Sequence, residues 1–321
     1  RDTAAWLAQA TGQTVPAELL DEHGTALDQA VVMLRHSHRF SAASGIGRLA
    51  EAVNAGSPKA VQAVWRQGFT DIALLALADE RDAQFAQLVV DGGAVQGELF
   101  AGAGPADAGA ARHGYRHYLE VLRATRPAPD APREAFDAWA RNVLTAHTAF
   151  QILCALRRGP WGVEGLNRRI THILHQAGLI EPAHEWYLGR PVLVARNDYA
   201  LGLMNGDIGI TLHLPTAGGA PALRVAFPAG DGQNGIKWVL PSRLQDVETV
   251  YALTVHKSQG SEFTHAALVM PENLNPILTR ELLYTGITRA RSHLTLAEPG
   301  GKHLLAQAVQ RRVLRASGLS A

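Results

Sequence analysis

The chain has 321 residues, of which 47% are hydrophobic and 18% charged, with a formal net charge of +1. That length buries a sizeable core and accommodates two domains of ordinary size. The composition excludes an intrinsically disordered chain, and the near-neutral balance excludes a polycationic binder, so a nucleic-acid partner must be held by a local groove.

A single cysteine, Cys154, excludes an internal disulfide framework and fits a reducing, cytoplasmic setting. No apolar run approaches the roughly 20 residues of a membrane span, so no membrane partner is expected. The opening Arg1-Asp-Thr-Ala-Ala-Trp6 lacks a Met and is no signal peptide; it predicts that further residues precede it.

In chain order, the first half reads as mainly helical. Ile46, Leu49, Ala50 and Val53 recur at helical spacing, with Ser44 as N-cap and Asn54-Ala-Gly56 as stop. Further helices are predicted at 58–66, 71–90, 111–124, 133–157 and 163–177, with a Gly- and Ala-rich loop at 91–110. Cys154 lies in the apolar run Phe150–Leu156, which predicts a buried structural thiol. The texture changes at Pro191–Ala195, which reads as a buried strand. Asn205-Gly206-Asp207 signals a turn. Ile208–Leu214, Ala222–Phe227 and Ile236–Leu240 read as short strands and suggest a small β-barrel. After Pro241, Val247–Val255, Ala266–Met270 and His293–Ala297 read as buried strands, with a helix at about 279–290 before the last. Strands alternating with helices imply a parallel α/β sheet, so the predicted architecture is a helix-rich α/β domain interrupted by a small β-barrel.

Three segments carry candidate chemistry. In Val250-Tyr-Ala-Leu-Thr-Val-His-Lys-Ser-Gln-Gly-Ser-Glu-Phe263 a buried strand feeds a polar loop, the position where α/β sheets bind ligands. Thr254, His256, Lys257 and Ser258 can donate to phosphate oxygens, and Gly260 permits close backbone approach. The same residues also suit a plain strand-to-helix turn capped by Ser258 or Ser261. In Glu281-Leu-Leu-Tyr-Thr-Gly-Ile-Thr-Arg-Ala-Arg291, arginines close a short helix. They suit phosphate recognition or pairing with the helix C-terminus. Arg39, ahead of the Ser44-capped helix, suits a phosphate contact or a surface position.

Other features point away from chemistry. Asp71-Ile-Ala-Leu-Leu-Ala-Leu-Ala-Asp-Glu80 has the outline of a Walker B strand. Ala and Leu dominate it, however, so helix is the better local reading, with Asp79 and Glu80 at a solvated helix end. His113 and His117 are four apart without a Cys or carboxylate to complete a metal set, and His36 and His38 read as surface or core residues. No metal site and no nuclease carboxylate cluster is predicted. Nowhere does Gly-x-x-x-x-Gly-Lys-Ser/Thr occur, so these 321 residues carry no P-loop.

Taken together, Ser37-His-Arg39-Phe40 with Ser44-Gly-Ile-Gly47, then Val255-His-Lys-Ser-Gln-Gly-Ser-Glu-Phe263, then Tyr284-Thr-Gly-Ile-Thr-Arg-Ala-Arg291 resemble motifs IV, V and VI of superfamily 1 helicases. Gly114–Tyr118, Phe150–Asn167 and Gly189–Gly209 extend the likeness to RecD-type helicases, over nearly the whole chain. The resemblance implies the second RecA-like motor domain, split as 1–196 and 248–321 around an SH3-like barrel at 197–247. Arg39 and Arg289 would reach the γ-phosphate of ATP, Glu262 the ribose and Gly260 the phosphates, while Thr254, His256, Lys257 and Ser258 would face single-stranded DNA. It further implies ATP with Mg2+, the metal held mainly by a P-loop half expected ahead of Arg1. The implied work is 5′-to-3′ translocation in double-strand break repair, beside the beta and gamma subunits of exodeoxyribonuclease V, with no ATPase from this chain alone. A stand-alone RecD-like helicase, or a non-catalytic module that binds DNA or docks a partner, remains the alternative.

Overall fold

The computed structural model describes residues 2–15, 17, 20, 23, 40, 44–93, 112–216, 221–230, 235–300 and 304–313. The chain divides into residues 1–41 and 42–321. In the first, the described helix is α1 (Asp2–Thr11). Arg39 and most of the loop expected at 91–110 lie outside the described residues.

Residues 42–321 build two sheets with helices between and around them. The order is α2 (Gly45–Asn54), α3 (Pro58–Arg66), β1 (Ile72–Leu77), α4 (Ala83–Asp91), α5 (Tyr115–Ala124), α6 (Arg133–His147), β2 (Phe150–Cys154), α7 (Val163–Gln176) and β3 (Pro191–Val194). There follow β4 (Ile208–Pro215), β5 (Pro221–Pro228), β6 (Ile236–Val239), β7 (Val247–Thr249), β8 (Ala252–Thr254), β9 (Phe263–Val269), α8 (Arg280–Ile287), β10 (Ala290–Pro299) and α9 (Leu304–Gln310).

The first sheet has the order β1-β10-β9-β2-β8, and every pairing is parallel. A parallel sheet is covered on both faces, which is why its strands read as near-continuous apolar runs. β2 is buried at all five positions, and β9 at all but Thr264. The expected mixed α/β architecture with a parallel sheet is therefore present. The second sheet is antiparallel, in the order β6-β5-β4-β3-β7, so β6 and β7 are its edges. It starts one strand earlier than position 197, because β3 pairs with both β4 and β7.

Alternation in the antiparallel sheet lets it face two cores. Ile210, Leu212 and Leu214 of β4 join the main cluster with Trp139, Leu119 and Phe136, while Val225 and Phe227 of β5 join a second cluster with Val192, Val194 and Val239. Trp139 is 2% exposed and its Nε1 donates to the Leu122 carbonyl at 3.0 Å, so its burial leaves no polar group unsatisfied.

Two helix expectations are corrected. Residues 72–77 form β1, not part of a helix over 71–90. Six register pairs with β10 outweigh the helical preference of an Ala- and Leu-rich run. The helix expected over 133–157 ends at His147, and Phe150–Cys154 is strand β2, paired on both sides by β9 and β8; a fully buried five-residue run has no periodicity that separates strand from helix. Asp79 and Glu80 therefore follow a strand rather than close a helix. Asp79 accepts from the Arg81 N–H, and Glu80 pairs with Arg169 at 2.9 Å. Cys154 is buried, as expected, and burial pushes its thiol up to about 12.

Candidate functional site

The loop after β8 is set by the sheet. Thr254 stands opposite Cys154 of β2, which in turn stands opposite Val269 at the end of β9. Phe263, where the loop ends, opens β9 beside Ala290. Residues 255–262 thus return along the sheet from one end of β9 to the other. That is six strand steps, or about 20 Å at ~3.3 Å per residue. One loop therefore presents different residues at the two ends of the sheet.

At the first end, Thr254 is 9% exposed and its Oγ1 accepts from the Lys257 N–H at 3.3 Å. His256 is exposed and Lys257 half-buried. Thr254 and Lys257 line one small recess with Arg157 and Glu248, whose side chains pair at 2.7 Å. Ser258 departs from expectation. It is fully buried and its hydroxyl donates to the Val255 carbonyl at 2.8 Å, so it braces the loop instead of facing outward. Ser258 and Ser261 do not cap a helix; their N–H groups donate to Thr254 and Ser258 carbonyls, which folds the loop into successive turns.

At the second end, Gly260 has φ +87°, a conformation that an L side chain resists, and no atom lies within 4 Å of where a Cβ would stand. Its backbone is open to an approaching group. Arg289, just past the end of α8, reaches this loop. Its Nη1 donates to the Ser261 carbonyl and its Nε to the Thr285 carbonyl, both at 3.1 Å. The Phe263 N–H donates to the Arg289 carbonyl at 2.9 Å, locking the two segments together through backbone as well. The contact with Thr285 is the helix-terminus pairing that the sequence left open; the contact with Ser261 goes beyond it. Glu262 is exposed, with Arg291 Nε at 3.9 Å from its carboxylate. Arg289, Gly260 and Glu262 are therefore neighbours, while Thr254, His256 and Lys257 sit at the opposite end of the loop.

The helix following Arg39 has a filled N-terminus. Ser44 caps α2 by accepting from the Gly47 N–H, and its hydroxyl donates to Asp71. The same carboxylate accepts from Gly45 N and Ile46 N at 3.0 and 3.1 Å. A Cβ at Gly45 would stand 2.5 Å from both Asp71 Oδ1 and Phe69 Cβ, so only glycine lets the helix seat there. Asp71 lies 26 positions from Gly45, and no local sequence signal marks it.

Behind the loop lies a buried polar network that sequence reading missed. Tyr115 donates to the Tyr251 carbonyl, Gln151 Nε2 donates to the same oxygen at 2.9 Å, and Tyr187 and Tyr251 hydroxyls meet at 3.2 Å. His265 bridges Thr295 Oγ1 at 2.9 Å and the His113 carbonyl at 3.1 Å. Burial holds its imidazole neutral, down to about 3, and that of His147 to about 4. The His113 and His117 rings stack with centroids 3.9 Å apart. Among the described residues no group of three or more His, Cys, Asp or Glu comes together, and no helix is long and apolar enough to cross a membrane.

Residues 249–297 match the UvrD-like helicase C-terminal domain, a span that holds both the loop and Arg289. The chain is 35% identical over 314 residues to the RecBCD enzyme subunit RecD of Mycobacterium tuberculosis (strain CDC 1551 / Oshkosh), covering 98% of this chain and 46% of that protein. To the RecBCD enzyme subunit RecD of Haemophilus influenzae it is 31% identical over 325 residues, covering 99% and 44%. To the ATP-dependent RecD2 DNA helicase of Deinococcus radiodurans it is 34% identical over 165 residues, covering 51% and 22%. The chain thus spans about half the length of the curated relatives it matches.

Proposed function

This chain corresponds to the C-terminal part of the RecD-type helicases, and from that premise we propose that it is the second, RecA-like motor domain of an ATP-dependent DNA helicase. One observation carries the reading: the Arg289 guanidinium bound to the Ser261 carbonyl, which holds an arginine beside Gly260 and Glu262 on the loop whose other end bears Thr254, His256 and Lys257. A fixed, permanently charged guanidinium is suited to stabilise charge on a transferring phosphoryl group. Glu262 is suited to a ribose hydroxyl and Gly260 to phosphates. Arg39 is assigned the same phosphate role by its motif. ATP arrives with Mg2+, which the P-loop half holds; these 321 residues have no Gly-x-x-x-x-Gly-Lys-Ser/Thr and turn over no ATP by themselves.

His256 and Lys257 contact the backbone of single-stranded DNA without reading sequence, and the loop between them and Gly260 couples nucleotide state to DNA grip. On this reading the segment 197–247, which supplies β4 to β6 and the start of β7 of the antiparallel sheet, is the counterpart of the SH3-like barrel. We favour the complex subunit over the stand-alone helicase on the likeness to the RecBCD subunits of Mycobacterium tuberculosis and Haemophilus influenzae over 98% and 99% of the chain. On this reading the protein works in the cytoplasm, beside the beta and gamma subunits of exodeoxyribonuclease V, moves 5′ to 3′ and serves double-strand break repair.

The test is fluorescence anisotropy of this chain with a labelled single-stranded oligonucleotide at several salt concentrations, with a duplex and a His256→Ala/Lys257→Ala variant as controls. Salt-sensitive binding that prefers single strands and weakens in the variant supports the assignment. Binding indifferent to the variant means that another surface holds DNA.

A further inference from the structure

The chain passes from the antiparallel to the parallel sheet in one short step. Thr249 ends β7 and Ala252 opens β8, with only Val250 and Tyr251 between, both buried. A strand that changes sheets leaves its ladder partners behind, so its backbone groups need other partners. The Val250 N–H donates to the Pro191 carbonyl at 3.0 Å, and the Tyr251 carbonyl is taken by Gln151 and Tyr115. Two others, the Thr249 carbonyl and the Ala252 N–H, are both taken by one side chain. Asn167, on α7, donates from Nδ2 to Thr249 O at 2.7 Å and accepts at Oδ1 from Ala252 N at 2.8 Å.

A primary amide is the group that fits this gap, because it offers a donor and an acceptor side by side. The backbone partners also fix which end of the amide points where. Aspartate, of equal size, can still accept from Ala252 N but would set a second acceptor against the Thr249 carbonyl. Two further braces act on the same stretch. Arg190 Nε donates to Thr249 Oγ1 at 3.0 Å with its guanidinium over the Trp186 ring, and Arg157 pairs with Glu248. Neither touches the backbone on the β8 side of the step. Asn167 alone among these three residues holds the chain on both sides of it, and Thr254 follows two residues after Ala252.

We infer that Asn167 is a positioning residue for the DNA-facing end of the loop, its amide setting where β8 leaves the antiparallel sheet and hence where Thr254, His256 and Lys257 stand. This rests on the DNA reading proposed above. It assigns Asn167 no contact with DNA or nucleotide, and it makes this amide one link by which the position of the antiparallel sheet is relayed to the loop.

The experiment compares the chain with Asn167→Asp and the milder Asn167→Ser in two measurements, with Val309→Ala, a buried site on α9, as a generally destabilised control. Hydrogen exchange is read at residues 252–258 against β9, and single-strand binding is read by anisotropy with an oligothymidylate. The expected result is faster exchange at 252–258 with β9 unchanged, and several-fold weaker DNA binding in the aspartate variant with a smaller loss in the serine variant. Val309→Ala should lower the melting temperature without weakening binding of the folded chain. Exchange that rises equally through β9 would reduce Asn167 to general stability and overturn the inference. So would selective loosening of 252–258 with DNA affinity intact while His256→Ala/Lys257→Ala still lowers it. If that double variant leaves binding unchanged, or the unaltered chain binds no single strand, the DNA reading itself fails and the inference falls with it.

Discussion

The interior of the parallel sheet contains hydroxyls, imidazoles and an amide, contributed by Tyr115, Tyr251, Gln151, His147, His265 and Thr295, whereas the second core of the antiparallel sheet is built from Val192, Val194, Leu203, Val225, Phe227 and Val239. The two sheets differ in what they must hold. Hydrocarbon packing is non-directional and tolerates small shifts, while hydrogen bonds in a low-dielectric interior are directional. The loops that carry the candidate chemistry leave from the parallel sheet, where directional bonds fix strand ends. The antiparallel sheet adjoins this framework through the two-residue step from β7 to β8.

The contrast can be broken most sharply at Arg289. In an assembly that includes the P-loop half, Arg289→Ala should lower ATP turnover by about 10³-fold or more, as loss of an arginine finger does, with single-strand binding by this chain retained. Steady-state ATP hydrolysis measures it; a loss under tenfold would remove the arginine from the phosphate. Next come the cores. Phe150→Ala and Phe227→Ala each delete a fully buried ring and should each cost about 3–5 kcal/mol in denaturant unfolding. Hydrogen exchange should show the first loosening the parallel sheet and the loop, and the second loosening the antiparallel sheet. Equal loosening of both sheets by either variant would dissolve the distinction.

Acid acts through the buried imidazoles. His265 and His147 titrate near 3 and 4 in the fold, against an ordinary value of 6.5. The unfolded chain therefore binds more protons below pH 6.5. Their contribution to stability is complete above that pH and is lost as pH falls toward 4, a change on the order of a few kcal/mol. His213, lowered by burial and by Arg126, acts in the same direction. Unfolding midpoints measured from pH 7 to 4 should fall, and His265→Asn should flatten the slope. A smaller effect is expected at Tyr115→Phe, about 1 kcal/mol, because Gln151 still serves the Tyr251 carbonyl. Smallest is Arg291→Ala. Its pairing with Glu262 spans 3.9 Å at the surface, and thermal melts should register less than about 1 kcal/mol.

Legibility in the sequence followed how local each signal was. The Ser44 cap and the helices at 58–66 and 163–176 were readable because their residues act within a turn or two. So were β4, β5 and β6, marked by short apolar runs between Gly and Pro. The loop from Thr254 to Glu262 and the arginine helix were identified from residue type and order, and the family likeness came from the same residues. β1 and β2 were missed because an Ala-Leu run and a fully buried run carry no period that names a strand.

What only the tertiary structure decided was long-range pairing. Ser258 turned inward because its hydroxyl found the Val255 carbonyl. Asp71 filled the N-terminus of α2 from 26 positions away, and Arg289 met Ser261 across 28. Asn167 spanned the step between sheets at a distance of more than 80 residues. Composition and periodicity determined which segments would be buried and which loops would be polar, since those depend on the side chains themselves. Which backbone group each polar side chain serves depends on where the other strands run, and that is settled only when the sheets assemble.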